Sequence, residues 1–322
     1  MPKTKQPRYG SMQFWPRVRA RREHARIRHF AHLPQAQPLG FAGYKVGMTH
    51  VFAVDNNPRS MTKGETIALP VTVVECPPMR VAGIRFYASY PSLHAIADHF
   101  AAKQEKELYR TILKPKKEPK AIPGSFDDLT LLVHTMPGMT GIGKKKPELF
   151  EVGVGGKKEE KLAKAKELLG KDILVSDVFK EGNLCDVHVI TTGKGFQGPV
   201  KRFGISLRSH KSEKSRRAAV LGPWCGQGHV MYRVSHAGKM GYHMRVDYNK
   251  WILKFAKPEE VKVSGGYIHY GFPKNTCVLL KGSVPGPKKR IVKMTTPSRP
   301  AHRFPRDAPS ITQISLHSPQ GR

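Results

Sequence analysis

The chain has 322 residues, with 56 Lys and Arg against 24 Asp and Glu, a formal net charge of +32. That excess asks for a polyanion, because each phosphate met by a Lys or Arg releases condensed counterions and favours binding by mass action. No run of about 18 apolar residues and no amphipathic helix with a basic face is present in the sequence, so an anionic membrane is the poorer partner.

Apolar residues make up 39% of the chain. That is enough for one or two cores, but part of the chain should contribute little to either, and length suggests about two domains. Cys76, Cys185, Cys225 and Cys277 are far apart, without the short spacing of a zinc knuckle or a redox motif, so reduced thiols are expected. The start, MPKTKQPRYG, is polar and basic without an apolar h-region, so no secretory signal and a cytoplasmic location are expected.

Residues 1–40 carry nine basic residues against the single acid Glu23. Such a segment cannot bury enough apolar surface to fold alone and reads as a basic extension. Phe14 and Trp15 lie inside it, where rings beside Arg suit stacking on splayed bases or docking on the protein's own core. From Phe41 the texture becomes Gly-rich and β-branched, GYKVGMTHVF then ETIALPVTVVEC, and predicts short strands over 41–78.

Residues 79–180 read as an inserted α+β domain. VAGIRFYAS predicts a strand. Ile96, Ala97, Phe100 and Ala101, after a Ser92 cap, predict an amphipathic helix. LTLLVHTM and LFEVGV predict two more strands. KKEEKLAKAKELLG predicts a second helix with Leu162, Ala165 and Leu169 on one face and Gly170 as its stop. Strand, helix, two strands, helix is the order of a small α/β plait.

Strand texture returns at 181–193 with DVHVITTG. Residues 194–250 then hold twelve Lys or Arg against Glu213 and Asp247, Gly-rich and without apolar periodicity. A stretch this long without predicted structure points to function or ordering by a partner. GYIHYGF and TCVLLKGSV predict the strands of 251–296, and 297–322 is a basic, Pro-rich tail.

Several motifs approach known chemistry and stop short. Gly193, Gly195 and Gly198 match GxGxxG, but Pro199 and Arg202 follow where an apolar helix should start. Close backbone approach to RNA is the better use, with Lys194, Lys201 and Arg202 meeting phosphates. GMTGIGKKK approaches a phosphate-binding loop, but Lys145 stands where Ser or Thr should hold magnesium, so a turn with solvated lysines is expected. Cys225 with His229 makes only half a metal site, and Asp186 with His188 reads as structural. His210, His229, His236 and His243 in the basic stretch can donate to phosphate or stack.

The candidate RNA contacts are Arg8, Trp15, Arg17, Arg19, Arg21, Arg22, Arg26 and Arg28 in the extension, with Lys45 in the first strand region. In the central stretch they are Lys194, Lys201, Arg202, Arg208, His210, Lys211, Lys214, Arg216, Arg217, Trp224, His229, Arg233, Lys239, His243 and Arg245. Lys288, Lys289 and Arg290 complete the set. No catalytic or metal-binding residue is expected, and no cofactor beyond structural magnesium ions held by the RNA.

Four stretches carry a family resemblance: GYKVGMTHVF at 43–52, TTGKGFQGPVKRFG at 191–204, GPWCGQGHVMYRVSHAGKMGYHMR at 222–245 and KGSVPGPKKRIVKM at 281–294. In this order they resemble the universal large-subunit ribosomal protein L3 family, in its archaeal and eukaryotic branch. The resemblance implies a six-stranded β-barrel of the translation-protein type, interrupted by an α/β insertion, with an N-terminal arm and a long central loop penetrating the subunit. It implies direct binding of large-subunit rRNA early in assembly, neighbouring ribosomal proteins as further partners, and neither a membrane nor a small-molecule substrate. Trp224 occupies the family's position near the tip of the loop, close to the peptidyl transferase centre. Cys225 and Gly226 after it depart from a common eukaryotic pattern, while His229 still precedes VMYRV. The rival readings are an RNA-modifying or processing enzyme, which needs a cofactor pocket or titratable cluster, a ribosome assembly factor, and a free nucleic-acid chaperone or DNA-packaging protein, which needs no folded insertion.

Overall fold

The computed structural model describes residues 14–114, 121–211, 228, 230–231, 234–305 and 307–317. In chain order its strands are β1 (Gly40–Val54), β2 (Thr66–Glu75), β3 (Met79–Ala88), β4 (His94–Phe100), β5 (Asp128–Thr135), β6 (Leu149–Gly153) and β7 (Asp172–Ile173). They continue with β8 (Leu184–Ile190), β9 (Phe196–Gln197), β10 (Gly238–Lys239), β11 (Met244–Ala256), β12 (Cys277–Lys281), β13 (Ile291–Thr295) and β14 (Ile311–Ile314). The α-helices are α1 (Lys158–Leu168) and α2 (Pro199–Phe203). The fold is mainly β.

The chain divides into two compact units. The core unit is Glu23–Val189 with Val246–Arg322; the loop unit is Met1–Arg22 with Ile190–Arg245. The main sheet of the core unit runs β13-β8-β11-β12-β2-β1-β14, and β13 also pairs with β1. Stepping from neighbour to neighbour therefore returns to the starting strand, and β14 pairs with β1 outside that circuit. The long β1 makes this possible: Gly40 to Tyr44 pair with β13, while Tyr44 to Val54 pair with β2 past a register shift at Lys45/Gly47. Val46, Val71, Val73, Val187, Leu279 and Val292 are all fully buried.

A second sheet, β4-β3-β5-β6 with β7 beside β3, carries α1 against β5. Helix α1 matches the periodicity read from the sequence: Ala165 is buried, Leu162 and Leu169 pack on the core, and Gly170 follows at φ +74°. The two sheets share polar contacts. Tyr44 Oη on β1 lies 3.1 Å from Thr135 Oγ1 on β5 and 3.0 Å from Glu148 Oε2, all buried.

Three local expectations fail. The helix predicted around Ile96–Ala101 is the edge strand β4, paired with β3 from Gly83↔Phe100 to Ala88↔His94. A short apolar run satisfies either period, and pairing with a ready-made strand decides it. GYIHYGF is a tight turn, with Tyr267 N donating to Gly271 O at 2.9 Å, His269 at φ +64° and Gly266 and Gly271 also at positive φ. Its glycines permit the turn, and a buried anchor holds it: Glu75 accepts from Tyr270 Oη, from the backbone N of Lys274 and Asn275 at 2.8 and 2.9 Å, and from Asn275 Nδ2 at 2.7 Å. Finally, β11 begins at Met244, within the stretch read as lacking structure; its first half is half-exposed and shows no alternation.

The N-terminal extension is not bare up to residue 40. Ala25 is buried, and Phe30 lies on Gly153, where a Cβ would fall 2.7 Å from its ring. Backbone bonds Gly156 N to Leu33 O (2.8 Å), Gly155 N to Gln37 O (2.9 Å) and Leu39 N to Gly153 O (2.9 Å) tie residues 33–39 to the end of β6. The expectation that the segment cannot fold alone still applies to its composition; its root borrows the core's apolar surface and strand edges.

Candidate nucleic-acid interface

The loop unit holds eighteen Lys and Arg against one acid, Glu213, so it carries +17 of the chain's +32, leaving +15 for the much larger core unit. Its root is a short ladder. Thr191 N donates to His243 O (2.9 Å), Lys194 N to Met240 O (2.9 Å) and Met240 N to Gly195 O (2.8 Å), and β9 pairs with β10 through Phe196↔Lys239. Helix α2 follows, with Gly198 as its N-cap, Pro199 in the first turn and Gly204 at φ +74° after it. A helix does therefore follow the GKGFQG motif, but with five residues it is one turn.

The first residues of the chain complete this unit. Ala20 N donates to Tyr242 O (2.8 Å), and His243 Nδ1 lies 2.8 Å from Val18 O. Cations here are seated on rings and carbonyls. Arg17 lies 4.2 Å from the Phe203 ring centroid and 5.5 Å from Trp15, Arg19 lies 5.5 Å from Tyr242, and Arg245 4.6 Å from Phe14. Arg202 donates to Lys239 O (3.2 Å) and His236 O (3.0 Å) and lies 5.1 Å from the Phe203 ring. Burial lowers the pKa of both Arg202 and Arg245, yet guanidinium stays charged at neutral pH. Burial likewise lowers His243; contact with Val18 O opposes this, and the nearby Arg245, Arg17 and Arg202 reinforce it. His243 is thus held towards its neutral form. Phe14 and Trp15 lie against Arg245 and Arg17 within the loop unit, contacts that neither base stacking nor docking on the core describes.

Most remaining candidates of this unit face outward: Arg19, Arg21, Arg22, Lys194, Lys201, His210, Lys211 and Lys239 are exposed, and Arg208 is half-buried. Arg8, Lys214, Arg216, Arg217, Trp224, His229 and Arg233 lie outside the described residues, as does Cys225. None of the ten described ion pairs has a partner in the loop unit.

The other candidates belong to the core unit. Arg26 and Arg28 are exposed. Lys45 is half-buried and donates to Val284 O (2.5 Å) and Gly286 O (3.0 Å); burial, then the neighbouring Lys288, lowers its pKa. It holds the 284–290 turn, where Lys289 sits at φ +68°, its N bonded to Lys45 O at 2.8 Å. Lys288, Lys289 and Arg290 line a hollow of about 220 Å³ with Lys144, Glu148 and Glu23. Lys144 is ion-paired to Glu148 and lies 3.6 Å from Glu23, so it departs from the solvated lysine expected at GMTGIGKKK. Asp186 accepts from the backbone N of Asn249 (2.9 Å) and Ser298 (3.0 Å), and His188 Nε2 lies 3.1 Å from Thr295 Oγ1, which makes both structural. Sequence reasoning missed Phe196, Phe203 and Tyr242; the signal available was an aromatic within three residues of each basic residue of GKGFQGPVKRFG and GKMGYHMR.

The family model described as Ribosomal protein L3 matches residues 1–123 and 118–318. The chain is 44% identical over 332 residues to the large ribosomal subunit protein uL3 of Methanobrevibacter smithii, with 98% of each chain covered. It is 41% identical over 330 residues to that of Methanocaldococcus jannaschii and 42% identical over 330 residues to that of Archaeoglobus fulgidus, again with 98% of each covered. The order of motifs, the mainly β architecture and these near full-length matches agree: the chain belongs to the ribosomal protein L3 family.

Proposed function

We infer that this chain is a structural constituent of the large ribosomal subunit, acting in the cytoplasm as an rRNA-binding protein and not as an enzyme. Family membership supports this, and the observation that carries it is the loop unit's +17, with eighteen Lys and Arg against one acid. Cations in such excess over acids neutralise phosphates where RNA helices pack closely, and the counterions they release favour assembly. Neighbouring ribosomal proteins are its other partners. No cofactor is needed beyond magnesium ions carried with the RNA.

The circuit of β1, β2, β12, β11, β8 and β13 is the six-stranded translation-protein-type barrel, and the second sheet with α1 belongs to an α+β insertion over about 79–180. Of residues 1–40 and 194–250, the parts outside the core-packed root at 25–39 and strand β11 are the extensions that enter RNA, with the candidates named above as contacts, and 297–322 is a basic tail. Early binding helps nucleate subunit assembly, and the loop reaches towards the peptidyl transferase centre, where Trp224 shapes the RNA without bond making.

The test is sedimentation of the tagged chain from extract after a high-salt wash. One copy per large subunit is expected. A chain that washes off or runs free would replace this reading with an assembly factor or an RNA-modifying enzyme. For Trp224, ribosomes carrying Trp224→Ala are expected to change in drug sensitivity, factor binding or peptide transfer; no change in any of the three refutes its role.

A further inference from the structure

The glycines of the GKGFQG motif do more in the loop unit than turn the chain. Gly193, Gly195 and Gly241, with Arg19, Lys239, Met240 and Tyr242, line a hollow of about 260 Å³. This is smaller than the range of about 300 to 1,000 Å³ that takes a whole small-molecule ligand, and suits one flat ring system.

Its walls are built for close approach. A Cβ on Gly195 would meet nothing within 4 Å, so the space above that residue is open, and Gly193 faces Tyr242, whose Cβ would lie 3.7 Å from an added methyl. Gly241 is at φ +76° and has no room for a side chain, since a Cβ there would fall 2.0 Å from Thr192 O. Tyr242, not a glycine, nevertheless sits at φ +55°. Left-handed backbone is costly for an aromatic residue and is concentrated at functional sites; here it presents the ring at the hollow with the Arg19 guanidinium 5.5 Å from its centroid. Beside the hollow, Phe196 is 73% exposed and pairs across the ladder with Lys239. An exposed aromatic, a ring at the wall and cations at the rim are the parts with which proteins hold unstacked bases.

We propose that this hollow seats a single unstacked nucleotide of the bound RNA, its base against the Tyr242 ring and its phosphate met by Lys239 and Lys194. The seat rests on the RNA-binding reading given above. A phosphate contact alone would need neither the hollow nor the aromatic wall.

The test uses the full-length chain and protein-free large-subunit rRNA, by ultraviolet crosslinking read at the peptide level and by affinity measured across a salt series. A crosslink at Tyr242 or Phe196 to one nucleotide is expected. Tyr242→Ala, and independently Gly193→Leu, which fills the hollow and leaves Tyr242 in place, should remove it and weaken binding about 5- to 150-fold, the range of one lost stacking contact, with a salt slope that falls by no more than about 1, the share of the seat's single phosphate. Tyr242→Phe should restore both. If both disruptive variants melt like the parent and bind with its affinity and crosslink, the seat is refuted while RNA binding stands. A salt slope that falls by more also refutes it, since wider phosphate contacts would then account for the loss. Failure of the unaltered chain to bind the RNA would overturn the functional reading itself.

Discussion

The core unit and the loop unit differ in how they hold cations: the core uses carboxylates as well as rings such as Phe150 under Lys293, while the described contacts of the loop unit are with rings and carbonyls. In the core, Arg80 bonds to Glu105 and Asp172, Arg85 to Asp98 and Glu151, Lys161 to Asp128 and Lys254 to Glu260. In the loop unit Arg17, Arg19, Arg202 and Arg245 lie against Phe203, Tyr242, Phe203 and Phe14, and Arg202 adds two backbone carbonyls. A carboxylate cancels a cation, whereas a ring face or a carbonyl positions it with its charge left over. Part of the core's charge is therefore cancelled within the fold, leaving +15, whereas the far smaller loop unit keeps +17.

The largest effect should come from the loop unit's exposed lysines. Changing Lys194, Lys201, Lys211 and Lys239 together to Gln is expected to flatten the salt dependence of rRNA binding by about 3 in the logarithmic slope, hence to cost roughly a thousandfold in affinity at 0.1 M salt. The matching set Arg80, Arg85, Lys161 and Lys254 to Gln should leave that slope alone and lower the melting temperature. A core set that flattens the slope equally would erase the distinction between the units.

Next in size is a change confined to the core. Glu75 is fully buried and receives Tyr270, Lys274 and Asn275, and burial together with the Glu75 charge raises the Tyr270 hydroxyl pKa far above its ordinary value. Glu75→Ala strands the buried Tyr270 hydroxyl and three half-buried N–H donors and should cost about 3–5 kcal/mol in a chemical unfolding series. RNA affinity measured below the melting transition should change little.

How much of this was legible in the sequence follows the same division. Where burial drives structure, composition sufficed: the β-branched runs of β1, β2 and β8 and the Leu162, Ala165 and Leu169 face of α1 stand as read. Reading failed where a neighbour decides. Strand β4 takes its conformation from β3, the turn at 266–272 from Glu75, and β11 starts among exposed residues that show no alternation. The charge excess pointed to a polyanion partner, but it did not separate Lys45, absorbed by Val284 and Gly286, from Lys194, which faces outward. Nor did it show which arginines are seated on rings, because those seats join residues 14–19 to residues 203–245 across most of the chain.

A smaller effect tests one of those seats. Phe203 is buried and takes Arg17 on one contact and Arg202 on another. Phe203→Leu keeps most of the apolar volume but removes the π face, and should cost about 1–2 kcal/mol, read as faster amide hydrogen exchange in residues 199–204. Exchange in the strands of the core should not move.

The smallest effect is a titration. Burial is the leading cause that lowers the pKa of His134 and His188 in the core and of His243 in the loop unit. A histidine whose folded pKa lies below its unfolded value of about 6.5 binds its proton more readily when unfolded. The stability these groups support is therefore complete above about pH 6.5, and falls with acidification by at most about 1.4 kcal/mol per pH unit for each histidine until its folded pKa is passed. Bound RNA should separate the three. Arg17, Arg202 and Arg245 help to hold His243 down, and phosphates drawn to those cations would offset them, so the NMR titration of the His243 ring should move to higher pH in the complex. His134, lowered by burial and the charge of Arg80, and His188, lowered by burial and Lys293, belong to the core unit, where acids pair with many of the cations. Their titrations should stay in place, and an equal shift at all three would mean that RNA changes the core as much as it does the loop unit.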